Sequence, residues 1–365
     1  MAAGVALPTN VQHHHNSYLY GALPLCVALA SGVDEWFMGR FVQLHSYGVS
    51  RRPGDIRPGD VCVDYTDSFA YTEVLETSVV TRGEAMAIGD LVDFIIETVD
   101  SGRHLIAFVD ENHLRGYPGS YVHEFLFYGY DRDARHVMAV AFDNRGRFTS
   151  MNFGFEAVNE AFRRGMAEIT GVDRLAVMTG CIQVLWPRGN APAFDLADFG
   201  RRLRSYVDRE PKGGEHIFGH WWFPRSSDLL ERPAVRFGMD VYADIAAHLQ
   251  GVSPDVEMAT GEPDYSSQFD YRIVHLFGEH KKLVKARLDY VAARHDLEDV
   301  LAPYLSAYDA VVEDAGVASM AGLRYTIRPH AGTMEYIASV VRDLEGREHD
   351  ILDGCCKVIE DAAAS

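Results

Sequence analysis

The sequence predicts an α+β protein, with an antiparallel-sheet domain over residues 1–190 and an all-helical domain over residues 226–365. Strand-like and helix-like segments alternate in the first half, whereas apolar residues follow helical spacing through most of the second. A chain of 365 residues is also longer than one hydrophobic core usually serves, which favours two domains. Residues 191–225, with their proline, glycine and aromatic content, are predicted to connect them.

The regular pattern of the first half begins with a helix over residues 83–99. Its apolar residues recur every three or four positions: Ile88, Leu91, Val92, Ile95 and Val99. Residues 104–109 then form an apolar run that is typical of a buried strand. Residues 110–120, which contain glycine and proline, are predicted to be an irregular loop.

Two further strands, over residues 121–130 and 136–142, flank a polar turn and predict an antiparallel hairpin. Helical spacing returns over residues 155–166. Residues 175–185 are another apolar strand candidate. These strands and helices together indicate an α+β domain rather than an all-helical one.

Four helices are predicted in the second half, over residues 234–249, 271–295, 297–315 and 333–362. The last keeps its apolar side chains near one stripe along its length. A helix with such a stripe buries it against neighbouring helices, so we expect a helical bundle.

Charge and hydropathy exclude several classes of function. Acidic residues outnumber basic ones by 53 to 34, for a formal net charge of −19, whereas nonspecific nucleic-acid binding needs a positive surface. No apolar run approaches the roughly 20 residues that span a bilayer, and the N-terminal segment lacks the pattern of a secretory signal. We expect a cytoplasmic protein that binds neither membranes nor nucleic acid; formation of a homo-oligomer is left open.

No metal site is expected. His13, His14 and His15 are adjacent, and neighbouring residues of an extended chain point to opposite faces. His216 and His220 have the spacing of a helical chelate, but the glycines around them disfavour a helix. The five cysteines are scattered and lack the paired spacing of a zinc site or a disulfide framework.

Two residues of the predicted hairpin are candidates for acid–base chemistry. His123 lies on its first strand, and Asp143 closes the second. Adjacent antiparallel strands can bring an imidazole and a carboxylate into hydrogen-bond range, where the carboxylate fixes the tautomer and makes the ring a better base. On spacing alone, a histidine and an aspartate on two strands are more often ordinary surface residues.

The run from Gly83 to Asp143 resembles the papain-like, C39-peptidase-like domain of the acyltransferases of butirosin biosynthesis. The segments SGRHLIAFVDENHL, HEFLFYGYD and AVAFD follow one another in the order of the family pattern. The helical half, notably RFGMDVYADIAAHL and FGEHKKLVKARLDYVAAR, is similar to the helical domain that follows in that family.

The resemblance implies an enzyme that moves an acyl or aminoacyl group from a carrier-protein thioester to the amine of an amino sugar. The amide would belong to aminoglycoside- or lincosamide-type antibiotic biosynthesis. The donor would be carried on the phosphopantetheine of an acyl or peptidyl carrier protein, so no separate cofactor is expected. His123 carries over as the base and Asp143 as its orienting acid. A cysteine-peptidase-like hydrolase and a non-catalytic binding protein on the same fold are the alternatives.

The nucleophile departs from the family pattern, which has a cysteine at the head of the first helix. Counting back from Asp34-Glu35 reaches Ser17 instead, and Cys26 falls where we expect the interior of that helix. Either Ser17 is a weaker nucleophile, or no acyl-enzyme forms and His123 activates the amine directly. Direct transfer is favoured, because a thioester is already activated and a serine hydroxyl is not.

Further substrate contacts are predicted on two segments. Gln12, shortly before Ser17, stands where papain-like folds keep an oxyanion-hole glutamine. Its neighbours His15 and Asn16 are candidate substrate-binding residues. Asp110 and Glu111 follow a predicted strand in the loop before His123, and their carboxylates are candidates for holding a cationic amine.

Overall fold

A computed structural model describes residues 3–48, 61–171, 180–210, 235–252, 269–330 and 332–365. The strands are β1 (Gly4–Ala6), β2 (Leu44–Gly48), β3 (Val61–Tyr65), β4 (Leu75–Thr81), β5 (His104–Asp110), β6 (Val122–Asp131), β7 (His136–Phe142), β8 (Phe148–Gly154), β9 (Gly180–Pro187) and β10 (Arg236–Phe237). The helices are α1 (Leu19–Ala30), α2 (Asp34–Met38), α3 (Arg82–Met86), α4 (Leu91–Asp100), α5 (Glu111–Arg115), α6 (Phe155–Gly171), α7 (Leu196–Val207), α8 (Val241–Gly251), α9 (Tyr271–Arg294), α10 (Glu298–Ile327) and α11 (Thr333–Ala364).

The described residues form two compact units. The first contains the residues up to Asp34 and those of Phe69–Pro192. The second contains those of Glu35–Ser68 and those from Ala193 onward. The predicted boundary at residue 190 lies close to Pro192, where the first unit ends, whereas the described residues of Glu35–Ser68, predicted in the first domain, lie in the second unit.

One antiparallel sheet, with strand order β4–β9–β5–β6–β7–β8, organises the first unit, and β1 pairs with the end of β6. The predicted hairpin is confirmed as β6–β7, with Leu126 opposite Val140. Strand β5 is buried along its whole length, so both faces of the sheet are covered there. Helix α1 packs against β6, β7 and β9, and α6 packs against β5. The predicted α+β class and antiparallel sheet are confirmed.

The predicted helix over residues 83–99 is interrupted, because two capping signals lie inside it. The Thr81 hydroxyl accepts the backbone N–H of Glu84, whose side chain accepts the N–H of Thr81, and this capping box starts α3. The Asp90 side chain then accepts the N–H of Asp93 and starts α4. The spacing of apolar residues alone does not show that one helix ends and a second one begins within this segment.

The helical region predicted after the connector is confirmed in the second unit, with α10 reaching Ile327 instead of residue 315. Helix α7 was not predicted. Strands β2 and β3 form a three-stranded sheet with β10, in which His45 lies opposite Phe237. This long-range pairing is one reason why the β2–β3 hairpin groups with the second unit. Residues 175–179, 211–225, His216 and His220 lie outside the described residues.

The second unit buries a group of charged and phenolic side chains, the Glu348 cluster. Lys281 and Glu348 are both 0% exposed, with Nζ and Oε2 2.8 Å apart. The hydroxyls of Tyr206, Tyr242 and Tyr308 donate to the same carboxylate. Burial lowers the pKa of Lys281, and the charge and hydrogen bond of Glu348 oppose that shift. Each buried charge therefore has partners, without which its burial would be strongly unfavourable.

We expect Gly238→Ala to destabilise the second unit by about 1–3 kcal/mol. Gly238 has a φ of +58°, and a Cβ there would overlap the backbone carbonyl oxygen of Tyr206. Chemical denaturation measures the loss. The matched control is Gly346→Ala, because Gly346 lies in α11 with nothing near its missing Cβ. That change should instead stabilise by about 0.5–1 kcal/mol, and equal effects of the two changes would contradict the packing described here.

Candidate active site

His123 lies near the start of β6 with 27% of its side chain exposed. Its Nδ1 is 2.7 Å from Oε2 of Glu111. An ionised carboxylate accepts hydrogen bonds and cannot donate them, so this contact assigns a proton to Nδ1. The neutral ring then presents the lone pair of Nε2 as its basic site. This pair, the His123–Glu111 dyad, has the geometry of a base beside an orienting carboxylate.

The backbone places Glu111 beside His123. Val109 of β5 lies opposite His123 of β6, and β5 ends at the next residue, Asp110. Asp110 is the N-cap of α5, so Glu111 becomes the first residue of that helix. The backbone N–H of Glu111 donates to the carbonyl of Tyr121 at 2.8 Å. The first residue of this short helix, Glu111, therefore lies beside the imidazole of His123.

Arg115, one turn along α5, holds the second carboxylate oxygen of Glu111, with Nη2 2.6 Å from Oε1. It also donates to the carbonyl oxygen of Phe142 and to Oδ1 of Asn144, at the end of β7. Burial alone would raise the pKa of Glu111, but hydrogen bonds from His123 and Arg115 outweigh it and hold that pKa below its usual value. Glu111 is therefore an anion at neutral pH, fixed in position from both sides.

Asp143 does not take the position predicted for it. The β6–β7 ladder would bring Asp143 opposite His123 if it continued, but β7 ends at Phe142 and the chain turns. Within that turn the Asp143 carboxylate accepts from Nε of Arg147 at 2.7 Å and from the backbone N–H of Arg145 at 2.8 Å. Hydrogen bonds from Arg147 and the backbone lower the pKa of Asp143 to about 2. Glu111 stands at the imidazole in its place.

Asp110 has a structural role in this geometry. Its side chain is fully buried, and its carboxylate accepts from the backbone N–H groups of His113 and Tyr121 and from Nε of Arg164 at 2.8 Å. Burial raises its pKa, but these hydrogen bonds, with that from Arg164 the largest, bring it below the usual value. The carboxylate caps α5 and ties it to α6, so it does not face an amine acceptor as predicted.

The segment before α1 alternates between buried and more exposed residues, as an extended chain does. His13, His15 and Ser17 are buried, Asn16 is half-buried and Gln12 is exposed. Ser17 lies two residues before the start of α1, where the helix dipole favours negative charge. The oxyanion role of Gln12 and the substrate contacts of His15 and Asn16 stay predictions.

Cys26 lies in the interior of α1 and is buried, as predicted. Burial raises the pKa of its thiol, so it is not a thiolate nucleophile at neutral pH. Nε2 of His13 lies 3.3 Å from Sγ of Cys26, and the His13 ring packs on Phe148. Phe148 in turn packs on Phe142, whose carbonyl binds Arg115. The segment that carries Ser17 is thus linked to the same end of β7 as the dyad.

Three contacts were not predicted from the sequence: that of Glu111 with Nδ1 of His123, that of Arg115 with Glu111, and that of Glu124, whose Oε2 lies 3.6 Å from Nε2 of His123. One local signal was present. Glu111 and Arg115 have the i, i+4 spacing of a helical ion pair, directly after an aspartate suited to an N-cap. That pattern favours a short helix where a loop was predicted.

We expect Glu111→Gln to make the protein less sensitive to acid. The folded state lowers the pKa of Glu111, so its contribution to stability is present above the unfolded pKa of about 4.3 and is lost as the pH falls through the lower folded value. Denaturation midpoints measured from pH 7 to pH 3 should fall less steeply for Glu111→Gln than for the wild type. Glu298→Gln, on an exposed turn of α10, is the control. Identical pH dependence of all three proteins would contradict an ionised Glu111 in the dyad.

No family model and no curated protein matches the chain. Within the described ranges, no cluster of histidine, cysteine or carboxylate side chains is arranged to hold a metal ion. In the same ranges, none of the helices has the length and the apolar character needed to cross a bilayer.

Proposed function

We propose that the protein is a carrier-protein-dependent N-acyltransferase of the papain-like type, which forms an amide from an acyl or aminoacyl thioester and an amine. The observation that carries this proposal is the His123–Glu111 dyad, a partly exposed imidazole whose Nδ1 is held by a carboxylate that is 13% exposed. Amide formation needs a base of this kind, since the attacking amine must lose a proton as the C–N bond forms.

In this mechanism the amine nitrogen attacks the thioester carbonyl carbon, and Nε2 of His123 accepts the proton that the nitrogen loses. The C–S bond then breaks, and the imidazolium returns the proton to the departing thiolate. Glu111 stabilises the imidazolium during this exchange, as a buried carboxylate does in other His–carboxylate pairs. Arg115 is a positioning residue, because it binds the carboxylate of Glu111 and, among the described residues, makes no hydrogen bond with the imidazole.

An amino sugar is the proposed acceptor class, in antibiotic biosynthesis of the aminoglycoside or lincosamide type. Glu124 supports a cationic acceptor, because its carboxylate lies near Nε2 and is only 12% exposed. An ammonium group that approaches Nε2 would meet this carboxylate before it gives up a proton. The net charge of −19 further favours a cationic acceptor over an anionic one.

The proposal is tested by incubating the protein with one acyl-loaded carrier protein and a panel of amino sugars and other amines, with mass spectrometry of the products. Amide formation that depends on the protein is the expected result. Release of free acid without amide would favour a hydrolase, and an unchanged thioester with every amine would favour a binding protein.

The role of Ser17 has its own test, by intact-protein mass spectrometry with loaded carrier and no acceptor. Direct transfer predicts no adduct on the wild type and substantial activity in Ser17→Ala. Ser17→Cys should trap an acyl group, because a cysteine thiol at the N-terminal end of a helix is a better nucleophile than a serine hydroxyl. An acyl-serine at Ser17, with loss of activity in Ser17→Ala, would replace direct transfer by an acyl-enzyme mechanism.

A further inference from the structure

The second unit has a cavity of about 500 Å³ where α10 ends and α11 begins. It lies among helices that the proposed reaction does not use. Its lining combines basic, aromatic and small residues: Ala321, Arg324, Tyr325, Arg328, His330, Gly332, Thr333 and Tyr336. A recess with several basic side chains at its wall is suited to an anionic ligand.

Within the part of the chain that the structure describes, the basic side chains of this cavity have no carboxylate partners. Among the described residues, Arg324, Arg328 and His330 make no side-chain hydrogen bond or ion pair. Other arginines of the same unit are paired with acids, among them Arg204, Arg209, Arg342 and Arg347. Carboxylates are in large excess over basic residues in this chain, so three neighbouring basic groups without an acidic partner are unusual. They favour an anionic ligand at this site.

The positive charge and the geometry of the two arginines favour a phosphate group as the anion. A guanidinium presents a planar fork of donors that matches two phosphate oxygens, and two arginines one turn apart can hold one group from two sides. Arg324 and Arg328 have this spacing, because Arg328 caps the helix whose last turn contains Arg324. The first turn of α11, at Thr333, adds a smaller positive contribution from backbone N–H groups.

A largely apolar groove, with Lys282 and Glu313 also at its wall, continues from the cavity along α10. It has a volume of about 590 Å³ and shares Ala321, Arg324 and Tyr336 with the cavity. Val317 and Met320 line it and are 47% and 50% exposed, which is unusual for large apolar side chains. A ligand with its anion at Arg324 would therefore lay an uncharged chain along this groove, where burial of the chain adds to affinity.

We propose that this cavity and groove bind a phosphate ester that carries an uncharged chain. The phosphate lies against Arg324, Arg328 and His330, and the chain lies against Val317 and Met320. Two sources share this chemistry, a phosphopantetheine arm and a phosphorylated lipid. The site is independent of the dyad, so it holds or fails separately from the proposed acyl transfer.

Isothermal titration of the full chain with inorganic phosphate, octyl phosphate and free 4′-phosphopantetheine tests the site. We expect saturable binding of at least one ester, tighter than that of inorganic phosphate and weakened by salt. Arg324→Gln combined with Arg328→Gln should weaken ester binding tenfold or more. Met320→Gln should weaken the ester that binds and leave inorganic phosphate unchanged.

Arg342→Gln is the matched control, because Arg342 lies on α11 outside the cavity and pairs with Glu335. It should bind the ester as the wild type does. Preference for phosphopantetheine identifies a carrier arm as the source, and preference for octyl phosphate identifies a lipid. The proposal is overturned if neither ester binds, or if the double variant, shown to be folded by circular dichroism, binds as tightly as the wild type.

Discussion

Replacing His123 with alanine is expected to slow amide formation by roughly 10²- to 10⁴-fold, which is the usual contribution of a positioned general base. The imidazole is the group whose Nε2 receives the proton of the amine in the proposed mechanism. Initial rates of amide formation, measured at saturating carrier thioester, give the ratio directly. The loss should appear in kcat, because His123 acts on the reacting nitrogen rather than on binding of the carrier.

The fold should survive this change. His123 is partly exposed and lies near the start of its strand, so alanine there removes few buried contacts. His349→Ala is the control, since His349 lies on α11 with 44% of its side chain exposed and, among the described residues, pairs with Asp350. A His123→Ala enzyme that keeps more than half of the wild-type rate would remove the dyad from the mechanism.

The largest expected effect on stability comes from Glu348→Ala, which should cost about 3–5 kcal/mol. The change leaves the ammonium of Lys281 buried without its counter-ion and removes the acceptor of three tyrosine hydroxyls. Chemical denaturation, followed by circular dichroism, measures the loss. A Glu348→Ala protein that is largely unfolded at neutral pH would agree with this prediction, because the unpaired ammonium of Lys281 destabilises the folded state.

Two further variants serve as controls for the loss of this buried ion pair. Lys281→Met with Glu348→Gln removes both charges and keeps an acceptor for the tyrosines, so it should be more stable than Glu348→Ala. Lys357→Ala breaks an ion pair with Asp353 at the surface of the same helix and should cost less than about 1 kcal/mol. A loss in Glu348→Ala as small as that in Lys357→Ala would contradict the account of the cluster.

Much of the first unit followed from local patterns in the sequence. Strands β5, β6 and β7 are continuous apolar runs bounded by polar turns, and such runs locate strands well. The described residues of Glu35–Ser68 lie in the second unit, which local patterns could not predict because β10, the pairing partner of β2, lies far along the chain. Period and turn signals describe only near neighbours, so they carry no information about such a partner.

The candidate site was predictable only in part. His123 was found from its place on a hairpin strand, but its carboxylate depends on where β7 ends and on how α5 is capped. The turn at Asp143 directs that carboxylate away from His123. The N-cap at Asp110 places Glu111 next to the imidazole instead. Lys281 and Glu348 were not recognised as buried, because charged residues on helices usually face solvent.

The rates of amide formation by Glu111→Gln and Asp143→Asn, compared side by side, test the central claim most directly. The account predicts that Glu111→Gln loses most of its activity, because the carboxylate that fixes Nδ1 of His123 and stabilises its charged form is gone. It predicts that Asp143→Asn keeps a rate close to that of the wild type, because Asp143 binds Arg147. The opposite order, with Asp143→Asn inactive and Glu111→Gln active, would contradict the dyad.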